Sequence, residues 1–112
     1  MNDKDLIVRF YRPGDELQIN GLFETVFHIH RSIEEWRWKF QNSPFGKSII
    51  IVGEVNNRIV GHSAAIPINI KIGSNTSLCY QILDSMSDTY VKTRLIFPRV
   101  FKKMYQEMES ML

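Results

Sequence analysis

Only one cysteine, Cys79, occurs in the 112 residues. No internal disulfide framework can form, and zinc patterns built on paired cysteines are excluded. A lone thiol fits a reducing, cytoplasmic setting. No apolar run approaches the roughly 20 residues a spanning helix needs. The polar start Met1-Asn2-Asp3-Lys4-Asp5 is not a secretory signal, so no membrane partner is expected. Charge of one sign is lacking as well. Fourteen Lys and Arg against twelve Asp and Glu leave a net +2, too little to argue for nucleic acid. Six glycines and four prolines are too few for a collagen or low-complexity chain. What is present, 44% hydrophobic residues at a mean hydropathy of -0.18, suits one small globular domain spanning 1–112.

The order of elements carries more. Leu6 to Tyr11 reads as a short strand stopped by Arg12-Pro13-Gly14. Asp15 stands where a helix N-cap belongs, and Ile19, Leu22, Phe23, Val26 and Phe27 follow at helical spacing. Ser32-Ile33-Glu34-Glu35 has the form of a capping box. In the helix it opens, Ile33, Trp36 and Phe40 share a face while Trp38 points elsewhere, to cover a loop or line a groove. Asn42-Ser43-Pro44-Phe45-Gly46 ends that helix.

Ser48 to Val55 is the strongest strand, and Asn56-Asn57 is a plausible two-residue turn because Asn tolerates positive φ. The returning strand runs from Arg58 to Ile72, with Gly61 and Pro67 suggesting a bulge or an edge position. Thr76 to Ser87 forms a fourth strand. The last helix starts between Leu95 and Pro98, and Phe97, Phe101, Met104, Tyr105, Met108 and Leu112 are expected on its buried face. The fold class is α+β: strand, two helices, three antiparallel strands, helix.

Few residues invite chemistry. His28, His30 and His62 lack companions at metal spacing, so no metal site is expected and His62 reads as a strand histidine hydrogen-bonded to its surroundings. No Gly-x-Ser-x-Gly elbow, Walker loop or Gly-x-Gly-x-x-Gly occurs. Asp84 is the one acid embedded in a mostly apolar strand. It is either a base with a pKa raised by burial or an acid at a strand end with a hydrogen-bonding partner. Lys92, Arg94, Arg99, Lys102 and Lys103 straddle the start of the last helix. There the free backbone N–H groups favour an anion, although a solvated basic face would look the same.

Four stretches in this order carry a resemblance: Phe10-Tyr11-Arg12-Pro13-Gly14-Asp15-Glu16, Arg31 to Phe40 with Asn42 to Gly46, Ile59-Val60-Gly61-His62, and Asp84-Ser85-Met86. Together they are similar to the N-terminal half of the GNAT superfamily of acyl-CoA-dependent N-acetyltransferases. The resemblance implies a GNAT-like partial fold with an acetyl-CoA site between the fourth strand and the third helix. Ser85, Met86 and Ser87 would face the pantetheine arm. Lys92, Thr93, Arg94, Leu95, Ile96 and Phe97 would form the pyrophosphate loop, with Leu95 where the family has its key glycine. Asp84 is the candidate catalytic residue.

The implied reaction is attack of an amine, whose identity the resemblance leaves open, on the thioester of acetyl-CoA. Family members continue beyond the third helix, so the fourth strand is expected to keep a bare edge, covered by a second copy in a homodimer or by another chain. The alternative is a catalytically inactive remnant that serves as a binding or dimerisation module.

Overall fold

The run Ile49-Ile50-Ile51-Val52 offers no polar side chain to solvent, so its strand has to be covered on both faces. The sheet is built around that need. In the computed structural model, which describes residues 6–88 and 96–110, the elements are β1 (Ile7–Phe10), α1 (Glu16–Phe27), α2 (Ile33–Phe40), β2 (Ile49–Val55), β3 (Arg58–Ile72), β4 (Asn75–Ser87) and α3 (Ile96–Ser110). The strands form one antiparallel sheet in the order β1-β2-β3-β4. The α+β class and the expected element order are both present.

Side-chain alternation along β2 divides the core. Ile50 and Val52 join Ile19 and Leu22 of α1 and Trp36 and Phe40 of α2 in one cluster. Ile49 and Ile51 join Val100 and Met104 of α3 in another. The sheet is thus sandwiched, with α1 and α2 on one face and α3 on the other. Each fully buried Ile or Val side chain contributes about 1.5–3 kcal/mol, and this alternation locks the register, since a one-residue slip would exchange the faces. Gly53 lets α3 come close to the sheet: a Cβ there would lie 3.0 Å from Val100 Cγ2 and 3.2 Å from Leu6 Cδ1, so both side chains would have to shift. Among the described residues, no helix is long and apolar enough to cross a membrane.

Local chemistry accounts for the joints. Asn56 and Asn57 both take positive φ, 50° and 64°, as a two-residue hairpin turn demands. Gln18 of α1 ties that turn down: its amide nitrogen donates to Asn57 O at 3.2 Å and its oxygen accepts from Ile59 N at 2.9 Å. The bulge expected near Gly61 is there, since the register slips between Gly53 opposite Gly61 and Glu54 opposite Ile59. Pro67 lies beyond Ala65, the last β3 residue paired with β2, so its missing N–H costs no ladder bond.

Two expectations are corrected. Asp15 does not cap α1 with its side chain. Its carboxylate instead accepts from both terminal nitrogens of Arg9, at 2.7 and 3.1 Å, while Arg9 also reaches Glu54 at 3.1 Å. An ion pair bridging β1, α1 and β2, with charge on both partners, outcompetes a bond from the same carboxylate to uncharged backbone N–H groups. Tyr105 does not join the buried face of α3. It is half exposed, its ring packed on Phe101 at 4.8 Å, and Val100 takes the core position instead.

Candidate functional site

The second register slip lies between β3 and β4. His62 stands opposite Met86, but Ala64 stands opposite Leu83, so Asp84 and Ser85 together oppose Ser63. This is a β-bulge, and Asp84 enters it with φ 53°. Non-glycine residues rarely hold that left-handed conformation, and Asp is among those that tolerate it best. Past the bulge, Asp88 N donates to Val60 O at 2.7 Å. By antiparallel alternation, Met86 also turns its backbone groups toward β3, while Ser87 turns its N–H and C=O toward the outer edge of β4. Among the described residues that edge has no neighbouring strand.

Four contacts hold the bulge. The Asp84 carboxylate accepts from Arg31 Nη1 at 2.7 Å and from Lys39 Nζ at 3.1 Å. Its carbonyl accepts from His62 Nδ1 at 2.7 Å, and the Ser85 and Ser63 hydroxyls pair at 3.0 Å. Arg31 is itself fixed. Its Nε donates to Asn20 Oδ1 at 2.8 Å, and Asn20 Nδ2 returns a bond to Arg31 O at 3.0 Å. The guanidinium carbon lies 3.9 Å from the centroid of the Phe23 ring. The Arg31 side chain is 6% exposed and that of Asp84 8%, whereas Lys39 keeps 32%.

This environment decides what Asp84 can do. Burial alone pushes its carboxyl upward, but the Arg31 hydrogen bond and the charges of Lys39 and Arg31 outweigh burial and hold it below the ordinary carboxylate range. The base reading required a raised pKa, and the direction here is the opposite. The arrangement is that of an acid with hydrogen-bonding partners.

His62 is fully buried under Phe40. Because Asp84 O can only accept, Nδ1 carries the proton, and among the described residues Nε2 has no hydrogen-bond partner. Burial is the main reason the imidazole pKa falls to about 4; the Asp84 carbonyl and charge oppose the fall, while Arg31 and Lys39 add to it. Between about 6.5 and 4 the unfolded chain binds a proton that the folded chain refuses. Stability is therefore expected to decline as pH drops through that window, by about 2 kcal/mol at pH 5. Urea midpoints at pH 7.5 and pH 5 check this, and the difference should shrink in His62→Gln. Equal midpoints in the parent protein would contradict a sealed ring.

Two shallow clefts meet at Trp38 and Lys39 on the outward side of α2. One, of about 290 Å³, is lined by Phe23, Ile29, His30, Arg31 and Glu35 besides these two. The other, of about 230 Å³, runs over Phe45, Ile66, Pro67 and Ile68. Trp38 is 75% exposed and lines both, the groove role anticipated for it.

The remaining site expectations fall out unevenly. Ser85, Met86 and Ser87 follow the bulge directly, but the Met86 side chain is buried in the core, leaving only its backbone for other work. Lys92, Thr93, Arg94 and Leu95 lie outside the described residues, and Ile96 and Phe97 form the first turn of α3. Of the basic cluster, Lys103 pairs with Glu107 at 3.4 Å and sits over the Phe10 ring. Among the described residues no group of His, Cys, Asp or Glu is arranged to hold a metal ion. Arg31 and Lys39 were not anticipated. A lone acid in an apolar strand calls for a cation, but its partners lie 53 and 45 residues away.

No curated protein matches the chain. Several solved structures share its fold. A conserved protein of unknown function from Enterococcus faecalis, described as a probable N-acyltransferase, superposes with a TM-score of 0.76 at 10% identity over 95% of this chain. The match covers 26% of that protein, so the present chain spans about a quarter of its length. An acetyltransferase from Vibrio fischeri gives 0.71 at 14% identity, covering 93% of this chain and 87% of that one. An aminoglycoside acetyltransferase from an uncultured soil metagenomic sample gives 0.68 at 18%, covering 96% and 72%. At these identities the likeness speaks to the fold, and the family rests on the sequence itself. Residues 7–111 match the acetyltransferase (GNAT) domain family, so this chain is a member of the GNAT acetyltransferase family.

Proposed function

We propose that the protein transfers an acetyl group from acetyl-CoA to an amine acceptor. The observation that carries this reading is the bulge at Asp84 and Ser85, set beside the open edge of β4 and ahead of α3. An extended amide chain such as the pantetheine arm can pair with a free strand edge as a strand would. Ser87 turns a donor and an acceptor to that edge, and the bulge at Asp84 and Ser85 frees the backbone just before it. The donor set therefore fits the group. Beyond β4, Lys92, Thr93, Arg94, Leu95, Ile96 and Phe97 are the stretch assigned to the diphosphate. The free N–H groups of a helix start suit phosphate there, and in sequence Leu95 stands at the position where the family resemblance has a glycine.

The thioester supplies an acyl group activated toward a neutral amine. In this reading Asp84 serves by anchoring the bulge while Arg31 and Lys39 neutralise it, and His62 donates to the backbone from a sealed position. Neither takes the proton of the attacking amine. The amine attacks the thioester carbon, the C–S bond breaks and CoA leaves as a thiolate; the amine's proton passes to that thiolate through water on the solvent side, where the two clefts beside Trp38 give an acceptor its approach.

A second reading, a binding or dimerisation module, is favoured by one observation. From Asn75 to Leu83 the β4 edge carries no charge, although exposed edges are commonly defended by charge or proline. A second copy or another chain would then pair there. One titration separates the readings. Acetyl-CoA at 100 times its dissociation constant is expected to stabilise the fold by about 2.7 kcal/mol, read as a rise in melting temperature. No shift at millimolar ligand, together with concentration-dependent sedimentation, would favour the module.

A further inference from the structure

The bulge is an improbable conformation held from two sides: His62 and Ser63 of β3 bind the Asp84 carbonyl and the Ser85 hydroxyl, and Arg31 and Lys39 bind the Asp84 carboxylate. Asp84 takes φ 53°, and such a residue keeps a left-handed conformation only when its surroundings over-determine it. On its carboxylate the two cations are unequal. Lys39 is about one-third exposed and free to turn its ammonium to water, whereas Arg31 is almost wholly enclosed. Arg31 belongs to neither β3 nor β4. It lies in the connection between α1 and α2, next to the α2 cap Ser32, whose hydroxyl accepts from Glu35 N at 3.1 Å. The Asn20 amide binds the backbone carbonyls of both Arg31 and Ser32, at 3.0 and 3.2 Å. The same guanidinium therefore grips α1 through Nε and the bulge through Nη1, a two-ended reach that a planar fork provides and an ammonium does not. Arg31 also lines the cleft beside Trp38.

We propose that Arg31 is a positioning residue: from the α1–α2 connection it holds Asp84 in the left-handed conformation that shapes the outer edge of β4. The brace ties the cleft side of the molecule to the strand edge on which the donor is proposed to lie. That consequence for donor binding rests on the function proposed above; the conformational claim does not.

Amide hydrogen exchange on the full chain tests it, comparing Arg31→Lys and Arg31→Met with the parent. The Met86 and Asp88 amides, which face β3 across the bulge, are expected to exchange about ten-fold faster in both variants, while Ile51 and Val52 stay within about two-fold. Acceleration spread evenly over the sheet, or none at Met86 and Asp88, would overturn the proposal. Arg31→Lys keeps a positive charge against Asp84 and guards against failure of the Met variant to fold. If neither variant folds, Arg31 supports the whole domain and the specific role is refuted. A folded variant should also bind acetyl-CoA about ten-fold more weakly, a loss of about 1.4 kcal/mol. Should the parent protein bind no acetyl-CoA, the functional reading fails, and the exchange pattern still decides the role of Arg31.

Discussion

Asp84→Ala is expected to destabilise the protein by about 3–5 kcal/mol, because it leaves the buried Arg31 guanidinium without its counter-charge. Two effects add in the same direction. Alanine at φ 53° meets the left-handed penalty of about 1–2 kcal/mol that aspartate partly avoids. The side-chain anchor of a bulge already bound to His62 is lost as well. Lys39 can recover by turning to solvent, so the cost falls on Arg31. Asp84→Asn separates the terms, since asparagine tolerates the left-handed region and keeps one oxygen to accept from Arg31. It should cost clearly less than the alanine change. Urea unfolding at pH 7 reads both, and a loss under 1 kcal/mol for Asp84→Ala would mean that the pair adds nothing to the fold.

Trp36→Ala should be comparably severe, about 3–5 kcal/mol. The ring is fully buried and lies between Tyr11 at 5.4 Å and Phe40 at 5.5 Å. It fills the space between α2 and the sheet. Its buried Nε1 has no hydrogen-bond partner among the described residues, an unusual condition for an indole. Trp36→Phe therefore forfeits volume but no hydrogen bond, and about 1–3 kcal/mol is expected for it. Denaturant midpoints for the two variants check the ordering. If alanine and phenylalanine cost the same, the ring is not filling the core as described.

What could be read along the chain was whatever depends on neighbours within a few residues. The helical spacing of Ile19, Leu22 and Phe23, the Ser32 cap, the Asn56-Asn57 turn and the length of β3 all follow from local rules, and all are present. The bulge beside Gly61 was legible for the same reason. Asp15 misled because a cap and an ion pair use the same carboxylate, and Arg9 reaches it only once β1 lies beside α1. At the site, Asp84 stood out by being alone, which is a local signal. Its left-handed backbone and its two cations were not visible, since they depend on the α1–α2 connection folding across the sheet. His62 was correctly a bonded strand histidine, but its sealed Nε2 depends on Phe40 above it.

The meander order β1-β2-β3-β4 has a kinetic consequence. The β2–β3 and β3–β4 pairings each close through a tight turn, so they can zip outward from Asn56-Asn57 and from Gly73 with little loss of chain freedom. Pairing β1 with β2 must instead close the whole span from Phe10 to Ile51, with α1 and α2 inside the loop. By loop length that closure is expected to be the slower step of assembly. The Arg9 fork to Asp15 and Glu54 fastens the closed loop, and the two hairpins are expected to form before the first strand in the chain joins them.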